Sequence, residues 1–183
     1  VKHTENSSVW ELRGILAEQD GNIAEAARCM DKARLLLHDN ELPATLRRKI
    51  SVYNNCGRIL LIQGNRDEAL HYYQLSADAA RKTACKSFCH VPYQNLIHLK
   101  TLDSSCDTKS IEKLIEEYRN QVTADSVNNF LEFYSFFLGY YRQKNEPQKV
   151  FDIIREGYAR LKGMLTNVLN SGDKDAITRK CVL

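Results

Sequence analysis

The residues best suited to chemistry in this chain lie between positions 85 and 106. Cys85 and Cys89 stand one helical turn apart, His90 follows directly, and His98 and Cys106 lie downstream. Thiolates and imidazoles bind zinc, but structural sites use tighter cysteine spacing and four well-defined ligands. The expectation is therefore no metal and no cofactor, with these cysteines packing against neighbouring helices. The five histidines, at 3, 38, 71, 90 and 98, form no H-E-x-x-H and have no Ser and Asp beside them. Glu116-Glu117 and Asp67-Glu68 fit the charged surface of helices, and Gly21 and Gly64 stand alone rather than in a phosphate-binding loop. No constellation for catalysis emerges, so an enzyme is not expected.

Composition narrows the class further. A chain of 183 residues can bury a core of its own. The six cysteines (29, 56, 85, 89, 106 and 181) are even in number, which permits disulfides. A chain of this length does not need them, and several fall inside the helices expected below. Free thiols imply a reducing compartment, cytoplasmic or nuclear. The net charge of +3 comes from Lys and Arg interspersed with acids. That gives no basic face for nucleic acid, which also argues against an RNA-binding helical repeat. No apolar run approaches the length of a membrane span. The first residues have no apolar core like that of a signal peptide. The chain opens on Val, and the expectation is a fragment of a larger protein or a processed form.

Apolar residues recur with helical period almost throughout. Helices are expected from Ser7 or Ser8, with Glu11 completing a capping box, to Asp20-Gly21-Asn22, and from Ile23 to Leu37. A third runs from Pro43 to Gly64, and a fourth from Arg66 towards Thr83, capped by Asn65 with Glu68. Residues 84 to 90 either continue that helix or break it. Further helices carry Tyr93 to Lys100, Ile111 to Val122, an aromatic stretch from Phe130 to Tyr141 capped by Asp125 or Ser126, and Val150 to Leu169. Residues 173–183 read as a capping helix or a tail.

Aligning Gly14 with Gly57 superposes Trp10 on Tyr53, Ala17 on Leu60, Gly21 on Gly64, Ala26 on Ala69, Met30 on Tyr73 and Ala33 on Ser76. The spacing is 43 residues. Units centred on Ile97 and Leu138 follow after 40 and 41. Small residues let helix axes approach, and the large ones fill the space between. A near-constant period of paired helices marks a solenoid.

This pattern resembles the tetratricopeptide repeat family, in which a large residue precedes a Gly or Ala by four positions and the second helix carries Ala, an aromatic, then Ala. The second unit matches through Tyr53, Gly57, Ala69, Tyr73 and Ser76, and the first through Trp10, Gly14, Ala26, Met30 and Ala33. The fourth runs Tyr134, Leu138, Val150, Ile154 and Gly157, and the third is the most divergent. The units exceed the family's period of about 34. The resemblance implies an all-α, right-handed superhelical solenoid of antiparallel helix pairs, with units at about 7–40, 43–84, 88–122 and 125–169.

The resemblance also implies a protein-interaction or scaffold module, with first helices lining a concave groove for a peptide or protein. The groove candidates are Glu11, Asn54, Asn55, Arg58, Gln94, His98 and Arg142. Asn54-Asn55 stands out because Asn is a mediocre helix former and offers both a donor and an acceptor. The family's clamp for a terminal carboxylate is not expected, since Glu11 and Ile15 replace its Lys and Asn and Asn55 alone fits. Phe136 and Tyr140 lie off the Phe133–Phe137 face and suit a partner or a homodimer. The alternative is a sensory domain of a larger regulator that binds a short signal peptide or small ligand.

Overall fold

The computed structural model describes residues 6–83, 88–103, 107–121 and 127–170. The described residues form eight α-helices: α1 Ser7–Gln19, α2 Ile23–Leu35, α3 Pro43–Ile62, α4 Arg66–Lys82, α5 His90–Thr101, α6 Thr108–Gln121, α7 Val127–Gln143 and α8 Pro147–Asn170. They pack as α1 on α2, α3 on α4, α5 on α6 and α7 on α8. The chain divides into two compact bodies, residues 1–121 with three pairs and 122–183 with the fourth.

Three of the turns share one device. After α1, α3 and α7 the chain passes through a left-handed residue: Gly21 (φ 76°), Gly64 (φ 85°) and Asn145 (φ 56°). In each, the next backbone N–H reaches back five residues: Asn22 to the Ala17 carbonyl at 2.8 Å, Asn65 to Leu60 at 2.9 Å, and Glu146 to Tyr141 at 3.0 Å. This satisfies carbonyls that a helix end leaves open and reverses the chain into the second helix.

Two caps differ from expectation. Asn6, not Ser7 or Ser8, caps α1, accepting from the Ser8 N–H at 2.9 Å. Ser7 points inward and donates to the Ala33 carbonyl, and Glu11 is turned towards α3. Asn65 sits at the start of α4 but makes no capping bond through its side chain, whereas Asn22 caps α2 through Glu25 N–H at 3.1 Å. The fourth helix ends at Lys82, so it breaks before 84. Residues 84–87 lie outside the described residues, as do 104–106, the capping candidates Asp125 and Ser126, and the segment 173–183.

The glycines at the crossings are explained by what faces them. A Cβ on Gly14 would stand 2.8 Å from Met30 Cε, and one on Gly57 2.8 Å from two ring carbons of Tyr73. In the fourth pair the arrangement is reversed: Gly157, on the second helix, receives the Tyr134 ring of the first, 3.1 Å from where its Cβ would be. Between the first two pairs, Ala26, Met30 and Ala33 of α2 meet Val52, Cys56 and Ile59 of α3, with Trp10 and Tyr72 against the edge. In the third pair Tyr93 stacks on Tyr118 at 5.3 Å, with planes 5° apart. In the second body, Phe133, Phe137 and Ile153 are buried between α7 and α8.

Candidate interaction face

The first helices of the three-pair body lie side by side, α1 beside α3 and α3 beside α5. Polar side chains cross both junctions. Glu11 on α1 is only 4% exposed. Its carboxylate accepts from Asn55 Nδ2 at 3.0 Å, from Arg48 Nη1 at 3.0 Å and from the Ser51 hydroxyl, all on α3. One junction further on, Asn54 Oδ1 accepts from Asn95 Nδ2 on α5 at 2.9 Å. In the repeat register Asn54 is the counterpart of Glu11, and Asn95 that of Asn55. The chain therefore repeats one strut: an acceptor on one first helix takes the amide of an asparagine on the next. A buried carboxylate demands such partners, because desolvation without them is costly.

Arg58 lies on the same face, paired with the half-buried Glu18 of α1 and 3.4 Å from Asn55 Oδ1. A guanidinium bridged between two helices is held in place, so its remaining donors have a fixed direction. On α5, Gln94 donates to the Tyr118 hydroxyl at 3.1 Å, and His90 Nδ1 lies 2.7 Å from the same oxygen. His98 is exposed.

The expected groove residues thus separate. Glu11 and Asn55 are buried and joined to each other, and Gln94 is tied to α6. Asn54, Arg58 and His98 reach the surface of the three-pair body. Arg142 is an exposed residue of the separate α7–α8 body. There Phe136 and Tyr140 are half-buried and stacked on one another, with centroids 6.4 Å apart. In register they match Asn55 and Ile59 of α3, positions that are buried there. The strut was not expected from sequence. Its one signal was the pair of asparagines inside a helix.

Of the cysteine–histidine set, Cys89 and His90 have other partners. Cys89 Sγ contacts the Ala80 carbonyl at 3.6 Å, and His90 meets Tyr118; Cys85 and Cys106 lie outside the described residues. Among the described residues no three His, Cys, Asp or Glu converge as metal ligands. Cys29, Cys56 and Cys89 are buried free thiols. Burial pushes the Cys56 thiol up to about 12 and also raises Cys29, which keeps both protonated and poor nucleophiles. No described helix is long and apolar enough to cross a membrane.

No protein-family model matches the chain, and no curated protein matches its sequence. Among solved structures it is similar to the crystal structure of BtubC (BKLC) from P. vanneervenii, at 15% identity and a TM-score of 0.58. The match covers 86% of this chain, and the chain spans 64% of that one. The fold is all-α, with paired antiparallel helices of tetratricopeptide-repeat type.

Proposed function

We propose that the chain is a binding module that holds an extended peptide segment of a protein partner across the joined first helices α1, α3 and α5. The strut system carries this reading. Glu11–Asn55 fixes α1 on α3 and Asn54–Asn95 fixes α3 on α5, which puts the free end of Asn54, with Arg58 and His98, on a pre-ordered surface. Pre-ordering lowers the entropic cost of binding, and amide and guanidinium donors suit the carbonyls of an extended backbone. With Oδ1 of Asn54 taken by Asn95, its NH₂ end is the part offered to a ligand. All-helical repeat folds of this kind serve typically as interaction and scaffold modules. The buried free thiols support a reducing, cytoplasmic setting.

The test is a peptide-array screen of the purified chain, followed by fluorescence anisotropy on the best binders. Asn54→Ala and Arg58→Ala should each weaken binding about tenfold or more, the loss of one or two well-placed polar contacts. Arg155→Ala, on α8, should leave it unchanged. Binders that ignore both Asn54→Ala and Arg58→Ala would move the site away from this face.

A further inference from the structure

A cleft of about 340 Å³ opens where the first helix pair meets the second. It is lined from α2, the link that follows it, α3 and α4, and shares no residue with the joined first-helix face. Six of its side chains carry hydrogen-bond donors: Arg34, His38, Lys49, Tyr53, His71 and Tyr72. Among the lining residues only Asp39 is acidic.

Most of these donors are unspent. Neither tyrosine hydroxyl, and neither imidazole, has a hydrogen-bond partner among the described residues. Arg34 has one ion pair, to Asp31 at 3.5 Å, and its Nε has no acceptor there. Lys49 is held in place, its Nζ donating to the Asn40 carbonyl at 3.2 Å and lying 3.7 Å from the Asp39 carboxylate. The Asp39 side chain is fully exposed, so it can turn into water and leave the ammonium to another anion. The Tyr53 and Tyr72 rings stand 6.2 Å apart at 41°, and His71 meets Tyr72 edge-on at 5.6 Å. Leu37 and Leu75 add apolar surface.

At the next junction the same place is closed. In the repeat register His38 and Tyr53 correspond to Arg81 and Tyr93. Arg81 donates to the Glu117 carboxylate at 2.7 Å, and Tyr93 is fully buried, stacked on Tyr118. The fold can therefore spend these positions on its own packing, and at the first junction it does not.

We propose that the cleft binds an aromatic ring carrying a phosphate. A guanidinium and an ammonium flanked by two imidazoles match a dianion better than a single carboxylate, and both cations are established phosphate partners. The tyrosine rings and leucines give the flat body of the ligand a surface to pack on, in the tilted or offset geometries that aromatic pairs prefer. The cleft is as large as a small ligand pocket. Such a group comes either as a phosphotyrosine of a protein partner or as a free nucleoside monophosphate.

The test is isothermal titration calorimetry on the whole chain. The probes are a blocked phosphotyrosine peptide, its unphosphorylated form, adenosine monophosphate and inorganic phosphate. A ring phosphate should bind about tenfold or more tightly than inorganic phosphate, and the unphosphorylated peptide should not bind. The preference between the two ring phosphates names the source. His71→Ala changes an exposed side chain and Arg34→Gln a half-buried one, and circular dichroism should show both folded. Each should weaken the binding about fivefold or more, and Tyr53→Leu should bring the ring phosphate towards the affinity of inorganic phosphate. Inorganic phosphate bound as tightly as both ring phosphates overturns the proposal in favour of a plain anion site. Binding of neither ring phosphate, or an affinity that Arg34→Gln and His71→Ala both leave unchanged, overturns it altogether.

Discussion

The first and second helix pairs use one frame with two different fillings. At both crossings a glycine on the first helix faces an alanine carbonyl and a large side chain on the second. In α1/α2 that side chain is the flexible Met30, and in α3/α4 it is the rigid ring of Tyr73. A further bond joins each pair with its polarity reversed. Ser7 of α1 donates to the Ala33 carbonyl of α2 at 2.8 Å, whereas Ser76 of α4 donates to the Ile50 carbonyl of α3 at 2.7 Å. Ser7 and Ile50 are counterparts, as are Ala33 and Ser76. What is kept between the pairs is the spacing of the axes and a hydroxyl-to-carbonyl bond at the join. Which helix supplies the hydroxyl, and what fills the crossing, is free to change.

The largest effect should come from breaking the stiffer crossing. Gly57→Ala pushes a methyl into the Tyr73 ring and to 3.1 Å from the Ala69 carbonyl, neither of which yields easily. Overpacking of this kind should cost about 3 kcal/mol, seen as a lower urea midpoint. Adding Tyr73→Met copies the first pair's filling and should recover at least half of that loss. Next is the strut. Glu11→Ala leaves Asn55, Arg48 and Ser51 without their common acceptor and should cost about 2 kcal/mol, with Glu11→Gln costing less because one carbonyl remains to accept.

A smaller effect separates the pairs by pH. The folded chain holds Cys56 protonated to about pH 12, while an unfolded thiol ionises near 8.5. The stability this contributes is whole below the unfolded value and is lost as pH rises towards the folded one. Between pH 9 and 11 the loss should be on the order of 2 kcal/mol, and a Cys56→Ala variant should show a flatter profile over that window. The smallest effect is at the flexible crossing. In Gly14→Ala, Met30 Cε can swing aside, and alanine's better helix propensity offsets the remaining strain, so stability should stay within about 1 kcal/mol of wild type.

This comparison also shows what could be read from the sequence. The pairing of Gly14 with Met30 and of Gly57 with Tyr73 was legible, because close helix crossing admits few residue types and repeats them at a fixed interval. The turns were legible for the same reason, since a left-handed residue must follow the helix. The cap of α1 was not. Ser8 with Glu11 fits the capping pattern locally, but a carbonyl on α2 and an amide on α3 draw Ser7 and Glu11 away, and local sequence holds no trace of either. The candidate face was half legible. Asn54 and Asn55 drew notice as poor helix formers. Only the three-dimensional register, shifted by 43 residues at one junction and 40 at the next, shows that Asn55 ties back to Glu11 on α1 while Asn54 ties forward to Asn95 on α5 and still reaches the surface.

The struts also bear on how residues 1–121 come apart. In a linear stack each pair touches only its neighbours, so the strength of each junction decides whether opening one pair opens the next. Glu11–Asn55 and Asn54–Asn95 add a polar tie to both junctions, beyond the apolar packing. Amide hydrogen exchange should then report α1 to α5 as one opening unit with similar protection, and Glu11→Ala should let α1 and α2 exchange ahead of the rest.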